Sequence, residues 1–300
     1  MPQNEPKTSP LQYFVVFAFL AFTTGIWYHL YAQTVLNIDI AWLLQCLERF
    51  IAGGTYTKDF FETNPPLSFL IYLPAYLLYH FGSLNIHLSI FITFAMYIMG
   101  ANTLALYTLK KMSMPYHLCL AVFSGLILVE TWGAGISFGQ RDHLVFIFMI
   151  PYILSLICTT NTINIPPLPR MIMVLLGAVS IALKPHYIVV ISLFFLHRLY
   201  INKSIKETFI TIDCLGFIAC GLAYIGFIYT AAPDYIRFIL PEATSLYTEE
   251  SPFPIMIRAP YLFIAFIALI PALMVKNKDN KALALCSIGM SFICFLPYIL

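Results

Sequence analysis

NIDIAWLLQCLERFIAGGTYTKDFFETNPP, from Asn37 to Pro66, is a wet stretch between hydrophobic segments. It holds the acids Asp39, Glu48, Asp59 and Glu62 and the bases Arg49 and Lys58. Charge inside a hydrophobic protein carries a cost, so a cluster of it needs water or a function. The first half of the stretch is helical in pattern. Ile40, Leu43, Leu44, Leu47 and Ile51 recur on one face, with Gln45, Glu48 and Arg49 on the other. A short helix with one apolar face, outside a span, belongs in the membrane interface. Gly53-Gly54 ends it, since glycine accommodates the backbone that follows a helix.

The remainder of the chain is lipid-compatible. Of 300 residues, 60% are apolar and 10% charged, whereas a soluble domain carries about 25% charged residues. Mean hydropathy is +0.84. The expected fold class is therefore an all-α, polytopic membrane protein, a single transmembrane domain over residues 1–300. No basic tract points to nucleic acid. The seven cysteines show neither a secreted disulfide pattern nor metal-ligand spacing. Cys46 is expected in the wet loop. Cys119, Cys158, Cys214, Cys220, Cys286 and Cys294 fall in or beside apolar runs, where they read as polarisable filler.

Leu11–Tyr31 is the first span, long enough for a bilayer core of roughly 30 Å, with Trp27, Tyr28 and Tyr31 as an aromatic belt. Pro65–Phe81 is apolar but short and carries Pro74 in its middle. Charge decides whether it crosses. If it does not, the later spans are Ile86–Leu109, Pro115–Ile136, Leu144–Cys158, Met171–Leu183, Tyr187–Leu196, Thr208–Tyr229, Pro260–Val275 and Ala282–Leu300. Lys110, Lys111, Arg170, Arg198, Lys203, Lys206, Lys276, Lys278 and Lys281 then face the cytoplasm. Only Arg141, Lys184, Arg237 and Arg258 face out. A crossing segment would swap the two sets, against the positive-inside rule. The expectation is about nine transmembrane helices, a cytoplasmic N-terminus, and a first outer loop, 32–85, carrying interfacial helices. Four loops, at 37–66, 137–143, 184–186 and 231–258, then share the outer side. The chain stops inside an apolar run at Leu300, consistent with a C-terminally truncated protein.

Several polar residues in those loops stand out. Asp39 opens the interfacial helix, either as an N-cap or as a functional acid; no Glu or Gln completes a capping box. Glu62 precedes the Pro-Pro that leads back toward lipid, where a polar headgroup sits. SFGQRDHL, 137–144, places Gly139, Gln140, Arg141, Asp142 and His143 between two spans. A tight turn needs a glycine and one or two polar residues, and this run exceeds that. Arg141 is suited to bidentate phosphate binding. Asp142 and His143 are suited to ligate a divalent ion or to hold one another. Glu130 lies within a span and is either functional or a paired structural carboxyl. Lys184 snorkels or serves the site, and Arg237 is a further cation.

Taken together, these residues resemble the polyprenyl-phosphate-sugar-dependent glycosyltransferases of the GT-C superfamily. The likeness is to the bacterial branch related to protein O-mannosyltransferases and the lipid A aminoarabinose transferase. It rests on Asp39, the amphipathic helix after it, Glu-x-x-Pro-Pro-Leu at 62–67, and Gly-Gln-Arg-Asp-His at 139–143, similar to a Gly-Gln-Arg-Glu-His signature. The resemblance implies a catalytic pair, with Asp39 as general base and Asp142 as second acid. It implies Glu62, Asp142 and His143 around a divalent metal ion. It also implies Arg141, Lys184, Arg237 and Gln140 on the donor, a polyprenyl-phosphate-linked sugar, with a lipid or glycan acceptor. The implied place is a bacterial inner membrane, with the active site periplasmic. One departure is Asn64, which stands where relatives often have a phosphate-binding Lys; Arg141 is its substitute in this reading. Two other classes compete: a transporter or flippase, which would hold its charges near the bilayer midplane, and an inactive truncated relative acting as an assembly partner.

Overall fold

The computed structural model describes residues 10–249, and among these every regular element is helical. The predicted spans Pro260–Val275 and Ala282–Leu300, together with Arg258, lie outside the described residues. Five helical segments are long and apolar enough to cross a membrane: Tyr13–Tyr31, Ile86–Lys111, Tyr116–Gly133, Arg141–Thr160 and Ile212–Ala231. They lie in the helices α1 (Pro10–Tyr31), α5 (Ile86–Lys111), α6 (Tyr116–Leu128) with the π-helical turn after it, α7 (Arg141–Thr160) and α11 (Ile212–Ala231). Two shorter apolar helices accompany them, α8 (Pro167–Leu183) and α9 (Ile188–Asn202).

The packing has a centre and a rim. α7 lies between α5 and α8; α6 and then α1 continue from α5, and α11 continues from α8. Of the α7 span 78% is buried, against 11% for α1 and for α11. The two outer helices therefore present apolar side chains outward: Phe14, Phe17 and Phe22 on α1, Leu215, Ile218 and Leu222 on α11. Apolar surface on this scale, on helices of this length, is the face a bilayer covers. α7 meets α8 closely because Gly177 has no side chain. A Cβ there would lie 2.2 Å from Cδ1 of Tyr152.

Between α1 and α5 lie the helices of the first outer loop: α2 (Ile38–Ile51), α3 (Leu67–Leu70) and α4 (Leu73–His80). α2 has the expected face, with Ile40, Leu43 and Leu47 fully buried. Its cap is Asn37, whose Oδ1 accepts from the Asp39 amide at 2.9 Å. Asp39 is thus not the cap and keeps its carboxylate for other contacts. Gly53, at φ +87°, follows the helix end at Ala52. Cys46 is completely buried, not in the wet part of the loop, because it shares the Leu43–Leu47 face. α3 and α4 are too short to span. The segment leaves from Pro65-Pro66 and returns beside the first turn of α5, where a His87 ring nitrogen lies 3.1 Å from the Thr34 carbonyl after α1. The loop 32–85 thus begins and ends at the same end of the molecule.

Several predicted boundaries move: α7 starts at Arg141 and so takes Arg141, Asp142 and His143 out of the loop, and α8 starts at Pro167 and takes in Arg170. The span read as Thr208–Tyr229 is broken into α10 (Ile205–Phe209) and α11, because Thr211 caps α11 by accepting from the Cys214 amide. The span read as Tyr187–Leu196 continues to Asn202 before Lys203 turns left-handed at φ 53°. Arg198 is therefore a helix residue and largely buried.

Candidate functional site

The loops predicted to share one side do meet. Lys184, at the end of α8, places Nζ 3.3 Å from Oδ1 of Asp142 in the first turn of α7. Asp234, just after α11, accepts from the backbone amide of Tyr56 at 2.6 Å. That residue was missed at the sequence level; Arg237, three residues on, is exposed. Gly139 links a further pair of elements. Its carbonyl accepts from the Tyr72 hydroxyl at 2.7 Å, and its amide donates to Nδ1 of His143 at 3.2 Å. Only a glycine suits this place. Its φ is +87°, and a Cβ would lie 2.8 Å from Cδ1 of Ile40.

Tyr72 marks the centre of the cluster. It is fully buried where α3 gives way to α4. Burial pushes its hydroxyl well above the ordinary tyrosine value. The Arg141 guanidinium opposes that shift, and Asp39 and Asp142 add to it. Asp39, Arg141 and Asp142 thus all lie within electrostatic reach of one phenol, and Lys184 joins through Asp142. Arg141 has a buried Nη1 with no hydrogen-bond partner. Gln140 sits at the α7 N-cap but makes no capping bond with its side chain. Tyr72 carried one usable sequence signal: a tyrosine in an apolar, proline-kinked segment must find a partner for its hydroxyl when buried.

Glu62 takes a different position. One oxygen accepts from Trp42 Nε1 at 2.8 Å. The other accepts from the Asn64 amide at 2.8 Å and from its side-chain Nδ2 at 2.5 Å. The carboxylate clamps its own loop onto α2, and Asn64 is its main partner. Burial, then the Glu62 charge, pushes the neighbouring Cys46 thiol up to about 12. Asp59 behaves similarly, accepting from the Thr55 amide at 2.7 Å.

His143 turns inward from the loop. Its ring packs 5.7 Å from Phe94 and 5.1 Å from Phe138. Because Nδ1 accepts from the Gly139 amide, Nε2 carries the ring proton, and Nε2 is buried without a hydrogen-bond partner. The residues read together as metal ligands, Glu62, Asp142 and His143, are not assembled. Glu62 is held by Trp42 and Asn64, Asp142 by Lys184, and His143 lies between rings. Among the described residues no group of three or more His, Cys, Asp or Glu side chains is placed to hold a metal ion. Glu130 does have the partner an intramembrane carboxyl requires. It is Asn102 of α5, which meets Glu130 on the π-helical turn Val129–Gly133.

These elements define a helical, multi-pass type of membrane protein whose polar loops gather at one end. Comparison takes the identification no further: no family model, curated protein or solved structure matches the chain.

Proposed function

We propose that the chain is a membrane glycosyltransferase that moves a sugar from a polyprenyl-phosphate donor to an acceptor hydroxyl or lipid-linked glycan at the periplasmic face of a bacterial inner membrane. The observation that carries this reading is the ion pair of Lys184 with Asp142 at the loop-bearing end, beside an Arg141 with an unpartnered Nη1 and within electrostatic reach of the phenol on which Asp39 also acts. In the proposed reaction Asp39 takes the acceptor proton as the hydroxyl oxygen attacks the anomeric carbon. The bond to the phosphate oxygen breaks, inverting the centre. Arg141, with its unpartnered Nη1, and Lys184 meet the charge left on the lipid phosphate. Gln140 and Arg237 extend the donor side. No step is routed through a metal, because the residues read as its ligands are engaged elsewhere.

The test is release of free polyprenyl phosphate by the purified protein from a panel of polyprenyl-phosphate sugars, with and without EDTA. Release that depends on Asp39 supports the assignment, and the EDTA arm decides whether a divalent ion takes part. Folded protein that releases nothing from any donor overturns it. One observation favours a second reading, a transporter: Glu130 is 1% exposed, deep in the bundle, on a π-helical turn, and such turns often mark functional sites. Uptake of a polar solute that is lost in Glu130→Gln, with no sugar transfer, would favour that reading.

A further inference from the structure

The end of the bundle opposite the loops carries a different charge pattern. Lys110, Lys111, Arg170, Arg198, Lys203 and Lys206 lie there, with only Glu207 and Asp213 against them among the described residues. At its centre Asp213 is completely buried in the first turn of α11. Arg170 of α8 grips it with two parallel bonds, Nε at 2.9 Å and Nη2 at 2.5 Å. Arg198 of α9 approaches the same Oδ2 only to 3.6 Å. One carboxylate thus faces two guanidinium groups, and its geometry is satisfied by the first. Arg198 is 8% exposed, and its Nε and Nη1 have no hydrogen-bond partner. The Tyr152 hydroxyl, also without a partner, lies within electrostatic range of Asp213 and Arg170. A buried guanidinium that makes no hydrogen bond through Nε or Nη1 and shares its one counter-charge with a second guanidinium is costly.

We infer that this cluster is a binding site for a phosphate-bearing anion, with Arg198 as the principal contact, Arg170 and the Tyr152 hydroxyl beside it, and Lys203 and Lys206 as the exposed rim. The guanidinium fork matches phosphate oxygens. The position, at the ends of membrane helices, is where a basic pocket meets a lipid headgroup. The inference rests on the membrane reading of the fold and is independent of the sugar-transfer reaction.

The experiment counts lipid retained by the full chain, by native mass spectrometry, as phosphatidylglycerol is titrated into phosphatidylcholine. Wild-type protein is expected to retain phosphatidylglycerol in preference. Arg198→Gln is expected to weaken that affinity about tenfold, the loss of a charge-assisted hydrogen bond. The double variant Lys203→Gln/Lys206→Gln alters only exposed side chains of the α9–α10 turn. It is expected to weaken binding less and to flatten its salt dependence, and it stands as the test if Arg198→Gln does not fold. Inorganic phosphate forms the second arm. Displacement of the lipid by millimolar phosphate assigns the site to free phosphate, and resistance to displacement assigns it to the headgroup. Equal retention of the two lipids with no effect of phosphate overturns the inference. So does unchanged affinity in both folded variants.

Discussion

The loop Thr55–Asn64 and the first turn of α7 contain the same kinds of residue and use them in opposite ways. In the loop, Asp59 accepts from Thr55, Glu62 from Trp42 and Asn64, and Arg49 donates to the Asp59 carbonyl at 2.7 Å. Each carboxylate is satisfied by the polypeptide within or beside its own loop. In the α7 turn, Arg141 keeps an unpartnered nitrogen, Gln140 caps nothing with its side chain, and Asp142 has one partner, reached from another loop. Density of charge therefore does not distinguish a site from a scaffold. The distinguishing feature is what remains unsatisfied after folding, and that favours the α7 turn, with Asp39, as the place where a ligand completes the bonding.

Neutralising an acid in each of the two regions should have opposite effects. Asp142→Asn and Asp39→Asn are expected to lower sugar transfer at least about 100-fold, the scale of a lost acid or base, with the amount of folded protein unchanged. Glu62→Gln should do the reverse. It replaces a charged acceptor by an amide whose NH2 faces other donors, costing about 2 kcal/mol of stability, while activity per folded molecule falls far less. Thermal unfolding in detergent beside the polyprenyl phosphate release assay reads both. A Glu62→Gln protein of normal stability and no activity would reverse the assignment of the two regions.

Gly139→Ala sharpens the boundary between them. It forces a left-handed residue to carry a Cβ, costing about 1 kcal/mol, and presses that Cβ toward Ile40. Because Gly139 bonds both Tyr72 and His143, the variant is expected to be modestly destabilised but to lose transfer more than stability explains. Unchanged activity in a folded Gly139→Ala protein would show that the turn does not position the site.

Much of the fold was legible in the sequence, and the reasons are local. The α2 face follows from a periodic pattern and its end from Gly53; the apolar segment 65–81, read from charge counting as not crossing, is interrupted at Tyr72, between α3 and α4. Cys46 departs from its expected place in the wet loop because the helix phase puts it beside Leu43 and Leu47. Arg198 lies beyond the apolar run Tyr187–Leu196, and only the structure shows that the helix continues past that run to Asn202. The site was legible in position but not in allocation. Asp39, Glu62 and Asp142 look alike as letters. Only tertiary structure shows that Trp42 and Asn64 hold Glu62, while Asp39 and Asp142 act electrostatically on Tyr72. Asp234 was invisible for the same reason, since its partner Tyr56 is 178 residues away in the chain.

The smallest effect on stability separates the two regions most finely. Lys184 and Asp142 form a partly exposed pair, their side chains 23% and 21% accessible, and such pairs contribute less than about 1 kcal/mol. Lys184→Ala is therefore expected to leave thermal unfolding nearly unchanged. If Lys184 meets the departing phosphate, transfer should still fall about tenfold, the worth of a charge-assisted contact, and partial recovery is expected in Lys184→Arg. If the pair only ties α8 to α7, both variants will transfer sugar at the wild-type rate. Lys184 then belongs with Glu62 and Asp59, among the charges that hold the loops in place.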